Sequence, residues 1–297
     1  MKVAVTGGTG FVGTAVVSEL LQAGHEVSIL SRKVPEKLPG KARHVAGSVV
    51  TGEGLDALLE GAEAVIHLVG IIHEDGTNTF DAVHRQGTVN LLLAASRADV
   101  HRYLHMSAMG TRVGAVSKYH RSKWAGEEAV RASDLDWTIF RPSIIFGPGD
   151  AFINMFAGMM RKFPLMPVIG GGNNKMQPVY VKDVALSFRK ALESDNHIGK
   201  TYELGGPDVL NLKHILEIVS QVLNLKRLFI SIPLWVVAPV AKISQLFKIP
   251  LPVTSDQLIM LGEDNIRTGG DPVEELGVIW TPFEEGIKQY LVSGSSV

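Results

Sequence analysis

Cysteine is absent from all 297 residues, so disulfide bonds, thiolate metal sites and cysteine nucleophiles are excluded together. A surplus of one charge is also missing, because 29 Lys and Arg residues are balanced by 30 Asp and Glu residues. Proteins that bind polynucleotides need a basic surplus to neutralise phosphates. We therefore expect no nucleic-acid partner. The ten His residues are scattered, so we expect no metal site either.

Long apolar runs are lacking as well. The longest, 228–241, is interrupted by Pro233 and Pro239, and it falls short of the roughly 20 residues that a membrane-spanning helix needs. Residues 1–6 do not begin a secretory signal, which needs a longer apolar core and a small-residue cleavage site. The sequence thus predicts a cytoplasmic protein, which a surface segment could still hold at the inner face of a membrane.

Short apolar runs and helix-like segments alternate through the first half of the chain. The runs contain no regular polar alternation, which is typical of strands buried on both faces of a parallel sheet. The segments between them carry apolar residues at helical spacing. This order predicts an α/β fold with a Rossmann-type doubly wound parallel sheet. The runs are 3–5, 27–30, 64–69, 103–106 and 137–140, and the helical segments are 12–23, 87–95 and 123–132.

The rhythm changes after Gly147-Pro148-Gly149. A chain of 297 residues is long enough for a large sheet domain with a smaller region joined to it. We place a dinucleotide-binding Rossmann domain at 1–150, with 177–205 returning to it. A smaller C-terminal substrate or docking region is expected at 151–176 and 206–297.

A glycine-rich turn, Val5-Thr6-Gly7-Gly8-Thr9-Gly10-Phe11-Val12-Gly13, joins the first apolar run to the first helical segment. Gly7 permits a tight turn, Gly10 lets main-chain N–H groups approach a diphosphate, and Gly13 lets the helix pack closely on the strand. The helix N-terminus adds a partial positive charge. Turn glycines can serve steric needs alone, but the strand–turn–helix order favours a dinucleotide site. The residues expected to form it are Gly7, Gly10, Phe11, Val12 and Gly13.

The end of the second predicted strand carries cations. A Rossmann site for NAD has an Asp or Glu there, which binds the ribose 2′-hydroxyl. This chain has Ser31-Arg32-Lys33 instead. A guanidinium pairs well with a 2′-phosphate, so the segment favours NADP(H) over NAD. The alternative is a solvated basic loop that binds no ligand.

Tyr119 and Lys123 stand four residues apart in a predicted helix, which places them on the same face. A phenol with a pKa of about 10 is a poor acid–base group at neutral pH, and a nearby ammonium lowers that pKa. The pair therefore suggests general acid–base chemistry, and Lys123 could also hold the nicotinamide ribose. The same spacing occurs on ordinary solvated helix faces.

Four segments occur in a fixed order along the chain: 6–13, Tyr119 with Lys123, 140–149 and 177–185. In that order they resemble the extended or atypical short-chain dehydrogenase/reductases, a family that includes NAD-dependent epimerases and dehydratases. Three further segments, 66–70, 106–110 and 261–265, resemble the branch with the NADPH-binding accessory subunit of respiratory complex I. The resemblance covers nearly the whole chain.

The resemblance also implies individual site residues. Ser107 follows the fifth predicted strand, where the family places a hydroxyl that binds the substrate oxygen. In epimerase-like members this hydroxyl is one residue further on, a position that Ala108 occupies here. Ser48 replaces an Asp that reads the adenine amino group in relatives. His84, where many relatives have Asn, is interpreted as an ordinary packed or hydrogen-bonded histidine. The resemblance further implies cofactor contacts from Leu68, Val69, Gly70, Lys123, Pro142 and Ile144.

Three functions remain open at this point. The first is an NADP(H)-binding oxidoreductase that moves a hydride between nicotinamide and a small carbonyl or alcohol substrate, with Tyr119, Lys123 and Ser107 as its catalytic residues. The second, a sugar-nucleotide epimerase or dehydratase, would use the same residues. The third is a non-catalytic NADPH-bound scaffold or assembly factor of a membrane complex of the respiratory type. Ala108 favours the scaffold, whereas the Tyr–Lys pair favours an enzyme.

The segment 229–249 bears on the third function. It combines apolar bulk with Lys242 and Lys248, whose stems could lie along an apolar surface while their charges stay in water. Such a segment can rest on a membrane surface or on a partner protein. Burial against the rest of the chain is the alternative.

Overall fold

The computed structural model describes residues 1–36, 38–169, 172–233 and 254–292. The chain divides into two compact units, and buried apolar side chains fill the interior of each. The first unit comprises Met1–Pro142, Val181–Leu204 and Gly269–Ile279, and the second comprises Ser143–Tyr180, Gly205–Thr268 and Trp280–Val297.

The first unit is organised around one sheet. Its strands, numbered in chain order, are β1 (Lys2–Thr6), β2 (Glu26–Ser31), β3 (Arg43–Ala46), β4 (Ala64–His67), β5 (Arg102–Met106), β6 (Asp136–Pro142) and β11 (Lys200–Leu204). They lie in the order β11-β6-β5-β4-β1-β2-β3, and each neighbouring pair is parallel. The chain proceeds outward from β1 to β3 and then continues on the other side with β4. This reversal confirms the predicted doubly wound parallel sheet.

Helices account for the apolar character of these strands. The helices of this unit are α1 (Phe11–Gln22), α2 (Leu55–Leu59), α3 (Gly87–Arg97), α4 (Lys118–Arg131), α6 (Val181–Leu192) and α9 (Val273–Leu276). A π-helical turn, Asp81–Gln86, leads directly into α3. Side chains from α2, α3 and α4 share one buried cluster with those of β4, β5 and β6, while α1 packs against α6. All four residues of β4 are buried, as expected for a strand near the middle of a covered sheet.

The second unit contains short strands and four described helices. The strands are β7 (Ile145–Phe146), β8 (Leu165–Ile169), β9 (Lys175–Met176), β10 (Val179–Tyr180), β12 (Leu210–Asn211) and β13 (Leu228–Ile232). The helices are α5 (Phe152–Lys162), α7 (Leu212–Val222), α8 (Ser255–Leu261) and α10 (Phe283–Leu291). β7 pairs with β10 and β8 with β13 in parallel, whereas β9 pairs with β12 antiparallel. At the core, the Phe146 ring contacts those of Tyr180 and Phe283.

Hydrogen bonds fasten the segment around Asn265 to this second unit. The Asn265 N–H donates to the carbonyl of Lys175 at 2.7 Å, and the Gln177 N–H donates to the carbonyl of Asn265 at 3.0 Å. Ser143 Oγ lies 2.5 Å from Asn265 Oδ1. The Arg267 N–H donates to Gln177 Oε1 at 3.0 Å. Two of the segments that carried the family resemblance, 177–185 and 261–265, therefore meet here.

Within the described part of the chain, no helix combines the length and apolar character that crossing a bilayer requires. Of the predicted docking segment 229–249, residues 229–232 lie in β13 and Pro233 follows that strand. Residues 234–249 lie outside the described residues.

Candidate functional site

Two positions of the glycine turn, Gly7 and Gly13, have no room for a side chain. Gly7 adopts a φ of +76°, and a Cβ there would lie 3.0 Å from both the carbonyl carbon of Leu68 and the nitrogen of Val69. A Cβ on Gly13 would lie only 2.0 Å from the carbonyl oxygen of Gly7. The sequence prediction had Gly13 packing on the strand, whereas the structure packs α1 on the turn itself. Both glycines are required by the close approach of main chain.

The N-terminus of α1 fits a dinucleotide diphosphate. Its first-turn amides have no intrahelical acceptor and carry the positive end of the helix dipole. Within the described residues no side chain caps this end, where Gly10 is the N-cap residue, and the first turn contains no acidic side chain. Gly10 is exposed, and Phe11 and Val12 are half-buried. The cradle therefore offers main-chain donors to an anion and no carboxylate that would repel it.

Hydrogen bonds shape the turn after β2. Ser31 Oγ donates to the carbonyl of Lys33 at 2.7 Å and accepts from His44 Nε2 at 2.9 Å. The Arg32 side chain is exposed and makes no hydrogen bond or ion pair with any described residue. The turn thus presents an uncommitted guanidinium at the carboxyl end of the strand that neighbours β1.

Ser48 follows β3, the next strand along the sheet. Its N–H donates to the carbonyl of Glu53 at 2.9 Å, and its hydroxyl accepts from the Val50 N–H at 3.2 Å. The Gly47 N–H donates to the carbonyl of Ser31 at 3.1 Å. The segments that contain Ser31 and Ser48 are therefore adjacent, as the prediction of a shared adenosine site requires.

The loop after β4 connects the glycine turn to α4. Leu68 is buried, and its N–H donates to the carbonyl of Thr6 at 3.0 Å. Two residues further on, a Cβ on Gly70 would lie 3.0 Å from Lys123 Nζ and 3.5 Å from His84 Nε2. The loop 68–70 therefore extends from the glycine turn, next to Leu68, to Lys123, next to Gly70.

Lys123 is a buried ammonium in α4. Its Nζ donates to the carbonyl of Met106, the last residue of β5, at 3.0 Å. Burial lowers the pKa of Lys123 to about 8, although the charge of Glu127 acts in the opposite direction. Most of the Lys123 side chains therefore carry a positive charge at neutral pH, next to the end of β5.

Tyr119 lies one turn before Lys123 and is half-buried. Its ring packs edge-on against His84 and Phe80, at centroid distances of 5.3 Å and 5.9 Å. Burial raises the pKa of Tyr119 to about 12. The net shift is therefore opposite to the lowering expected from Lys123, because loss of hydration penalises the phenolate. At neutral pH the phenol is protonated.

Ser107 is the residue after β5. It is buried, its N–H donates to the carbonyl of Phe140 at 2.7 Å, and its hydroxyl donates to Thr111 Oγ1 at 3.4 Å. Because Met106 holds Lys123, Ser107 follows directly on the residue that anchors the ammonium. Sequence reasoning missed Thr111, since nothing in the sequence announces the turn in which its N–H donates to the carbonyl of Ala108.

Two predicted cofactor contacts end the first unit and begin the second. The carbonyl of Pro142 accepts from the Met109 N–H at 2.9 Å within the first unit, and the carbonyl of Ile144 accepts from the Val179 N–H at 2.9 Å within the second. Both residues thus contribute to the main-chain framework of their own units.

Behind the site lies a chain of buried polar side chains that the sequence did not reveal. Thr6 Oγ1 and His67 Nδ1 are 2.6 Å apart, and His67 Nε2 is 3.2 Å from Thr88 Oγ1. Thr88 Oγ1 donates to the carbonyl of His84 at 2.7 Å. Burial, reinforced by the charge of Lys123, lowers the pKa of His67 to about 3. Its imidazole is therefore neutral and serves as a hydrogen-bonding bridge.

A doubly wound parallel sheet with a glycine turn at its first strand–helix junction defines a Rossmann-type dinucleotide-binding protein. The chain belongs to the NAD dependent epimerase/dehydratase family, whose sequence profile matches residues 3–205. It is therefore a short-chain dehydrogenase/reductase-like member of a family of NAD(P)-dependent enzymes, and the family resemblance is confirmed.

Individual relatives differ in their activities. The chain is 32% identical to NADH dehydrogenase (ubiquinone) 1 alpha subcomplex subunit 9, mitochondrial, of Arabidopsis thaliana, over 89% of this chain and 69% of that protein. It is 34% identical to ceramide reductase of Caulobacter vibrioides, over 62% of this chain and 58% of that protein. The fold matches dTDP-glucose 4,6-dehydratase DesIV of Streptomyces venezuelae, solved with NAD, with a TM-score of 0.76 and 22% identity, over 98% of this chain and 96% of that chain. At this identity the structural likeness concerns the fold alone.

Proposed function

We propose that this protein is an NADP(H)-dependent oxidoreductase acting on a small carbonyl or alcohol substrate. The observation that carries the proposal is the convergence at Gly70, where the loop from the glycine turn meets the buried Lys123 ammonium. Tyr119 is the acid–base residue, Lys123 its electrostatic partner, and Ser107 the hydroxyl that positions the substrate oxygen. The name of the Caulobacter relative, ceramide reductase, supports a reductase over an epimerase or dehydratase.

The first unit would hold the cofactor, and the second would select the substrate or dock on a partner. The amides of Gly10, Phe11, Val12 and Gly13 face the diphosphate, with Gly7 shaping the turn. Ser31 and Ser48 bind the adenosine end, and Arg32 with Lys33 binds the 2′-phosphate. The residues of the first unit that would line the nicotinamide end are Leu68, Val69, Gly70, Lys123 and Pro142.

The chemistry assigns a proton to Tyr119 and a charge to Lys123. A bound nicotinamide supplies or accepts the hydride. In the reducing direction the protonated Tyr119 phenol donates its proton to the substrate oxygen. Because a pKa of about 12 makes the phenol a weak acid, this step needs the neighbouring positive charge of Lys123. The Lys123 ammonium stabilises the phenolate that remains, and Ser107 donates a hydrogen bond to the same oxygen. Without substrate, Ser107 donates its single hydroxyl proton to Thr111 Oγ1, so this proton turns from Thr111 to the substrate oxygen when substrate binds.

The preference for NADP(H) rests on Arg32. Its guanidinium is exposed and has no hydrogen-bond or ion-pair partner in the part of the chain that the structure describes. It stands where an NAD-selective site has a carboxylate. The test is a fluorescence titration with NADPH and NADH of the wild type and of Arg32→Ala. Loss of one charge-assisted phosphate contact should weaken NADPH binding about 10-fold or more and leave NADH binding unchanged.

Arg97→Ala is the matched control, because Arg97 is an exposed arginine of the same unit that pairs with Asp56. Its removal should affect neither cofactor. Equal weakening of NADPH and NADH by Arg32→Ala would reject the 2′-phosphate role, and no binding of either dinucleotide by the wild type would reject the function.

A second candidate function, a scaffold at a membrane surface, is favoured by the distribution of charge. Residues 151–169 and 172–180 together contain three Lys or Arg residues, residues 218–233 contain two, and none of these ranges contains Asp or Glu. These segments are joined through the parallel pair β8 and β13, in which Leu165 lies opposite Leu228. Leu165 and Leu228 are 49% and 68% exposed. We propose that this apolar and cationic surface contacts an anionic bilayer, which would suit the complex I relatives.

Co-sedimentation with vesicles tests this contact. Phosphatidylglycerol vesicles should retain the wild type but not Leu228→Ser, and phosphatidylcholine vesicles should retain neither. The matched control is Ile279→Ser, at an 86% exposed apolar residue of the first unit. Equal retention of both variants would reject β13 as the contact.

A further inference from the structure

His84 lies where three parts of the candidate site meet. It belongs to the π-helical turn Asp81–Gln86, a distortion often found at functional sites. Its ring is stacked on Phe80 and perpendicular to Tyr119, with centroids 5.7 Å and 5.3 Å away. His84 is buried, with 2% of its surface exposed. A histidine in this position contacts the proposed acid directly.

Both ring nitrogens of His84 are hydrogen-bonded, and the partners fix their roles. The Ile71 N–H can only donate, so Nε2, 3.0 Å away, must be the unprotonated acceptor. The proton is then on Nδ1, which donates to Ser122 Oγ at 2.8 Å. Ser122 Oγ in turn donates to the carbonyl of Tyr119 at 2.7 Å. The imidazole is therefore one defined neutral tautomer.

These bonds join two elements that the proposed function needs. Through Nε2, His84 holds the loop that follows Gly70. Through Nδ1 and Ser122, it holds the first turn of α4, which carries Tyr119. Lys123 also lies at this position, because its Nζ and His84 Nε2 are both close to where a Cβ of Gly70 would be.

We infer that His84 is a positioning residue, a neutral bracket that fixes the 68–71 loop relative to the Tyr119 end of α4. Its consequence for catalysis rests on the proposed function, but the bracket itself does not. The sequence interpretation of His84 as an ordinary packed or hydrogen-bonded histidine did not identify the two segments that its hydrogen bonds join.

A role for His84 as a proton carrier is disfavoured. Protonation of Nε2 would place a second donor opposite the Ile71 N–H and a positive charge near Lys123. Burial and the charge of Lys123 lower the pKa of His84 to about 2. The residue therefore acts by holding its neighbours in place.

Three substitutions each remove one of the two His84 hydrogen bonds, and a fourth removes both. His84→Gln places polar atoms at the ε position and can keep the bond to Ile71, whereas His84→Asn places them at the δ position and can keep the bond to Ser122. His84→Leu removes both bonds and retains apolar volume. Ser122→Ala breaks only the arm to α4.

Amide hydrogen exchange of the full chain without cofactor is the measurement, with the amides of β1 as internal reference. Loss of one hydrogen bond should speed local exchange about fivefold. His84→Asn should accelerate exchange in 69–72 only, and both His84→Gln and Ser122→Ala should accelerate it in 119–123 only. His84→Leu should accelerate both. If this variant does not fold, the other three still decide.

The matched control is His105→Leu. His105 is equally buried in the same unit, but neither of its ring nitrogens has a hydrogen-bond partner among the described residues. Its replacement should leave both segments unchanged relative to β1. A uniform increase across the unit in the His84 variants would overturn the bracket, and so would identical patterns for His84→Gln and His84→Asn.

NADPH affinity separates this inference from the proposed function. If Arg32→Ala weakens NADPH binding while His84→Asn does not, the function stands and the bracket has no role in it. If exchange follows the two-arm pattern but no dinucleotide binds, the bracket stands and the function fails. The expected result is that His84→Asn weakens NADPH binding about fivefold, since the loosened loop lies beside the cofactor residues.

Discussion

The glycine turn and the Tyr119–Lys123 site belong to the same unit but are built differently. The turn is formed by main chain within 7–13, and its requirement is the absence of side chains. The Tyr119–Lys123 site is formed by side chains from several segments, and its properties come from burial and hydrogen bonds. The turn should therefore be sensitive to added volume, and the second site to the removal of single polar groups.

Tyr119→Phe should give the largest effect on activity, because it removes the hydroxyl that acts as the acid in the Tyr119–Lys123 site. General acid–base catalysis contributes about 10²- to 10⁴-fold to rates, so reductase turnover should fall by that factor. NADPH binding should change little, because the glycine turn is untouched. The measurement is NADPH oxidation with a panel of small carbonyl compounds, with the cofactor affinity determined in parallel.

Tyr103→Phe provides the control for this prediction. Its hydroxyl is buried without a hydrogen-bond partner among the described residues, so its removal should leave turnover intact. Unchanged turnover in Tyr119→Phe would reject the catalytic assignment. A loss of NADPH binding in that variant would show that the two sites are not separable in this way.

Gly13→Ala tests the glycine turn instead of the Tyr119–Lys123 site, because it adds one methyl group to the turn. The new Cβ would lie 2.0 Å from the Gly7 carbonyl oxygen, a distance that forces main chain apart. We expect a loss of about 3 kcal/mol in the free energy of unfolding together with loss of NADPH binding. Urea unfolding and the fluorescence titration measure the two effects.

The matched control is Gly158→Ala in α5, where a Cβ would meet nothing within 4 Å. Alanine should stabilise that helix by about 0.5–1 kcal/mol. If Gly13→Ala behaves like Gly158→Ala, the turn is more yielding than its geometry indicates, and the contrast between the two sites weakens.

The sheet could be predicted from sequence because its signals are local. Five of its seven strands contain a short apolar run, and the order of strands and helices permits few topologies. The edge strand β3, Arg43–Ala46, contains no such run and was not predicted. The glycine turn was equally local, within 7–13. The role of Gly13 was only partly foreseen, since packing against Gly7 rather than the strand depends on the path of the turn.

The electrostatics of the second site could not be predicted from spacing. Tyr119 and Lys123 were correctly placed on one helix, but the direction of the Tyr119 pKa shift was wrong because the sequence does not give the hydration of the phenol. The bonds of His84 to Ile71 and Ser122 were invisible for the same reason. They join segments that are distant in sequence and depend on how α4 packs.

The smallest predicted effect is a dependence of folding stability on pH, caused by buried histidines behind the Tyr119–Lys123 site. His67, His84 and His105 are buried, and burial is the first cause of the lowered pKa of each. In the unfolded chain these groups titrate near pH 6.5, at about their ordinary value. Below that pH the unfolded state takes up protons that the folded state refuses, so stability falls as the pH decreases. For His67 this window extends from about 6.5 to about 3.

His105→Leu tests this contribution alone, since His105 makes no hydrogen bond among the described residues that would be lost. Each refused proton costs about 1.4 kcal/mol per pH unit, so the variant should lose stability more gently than the wild type by about that slope. Urea unfolding at stepped pH below about 6.5 measures this slope. The contribution of carboxylate protonation cancels in the difference, because both proteins have the same carboxylates. Leu104→Ala supplies the control, since this neighbouring buried residue has no titratable group and its replacement should lower stability at every pH while leaving the slope unchanged. Parallel curves for His105→Leu and the wild type would mean that the interior behind the Tyr119–Lys123 site admits protons. The distinction between a main-chain site governed by volume and a side-chain site governed by burial would then fail.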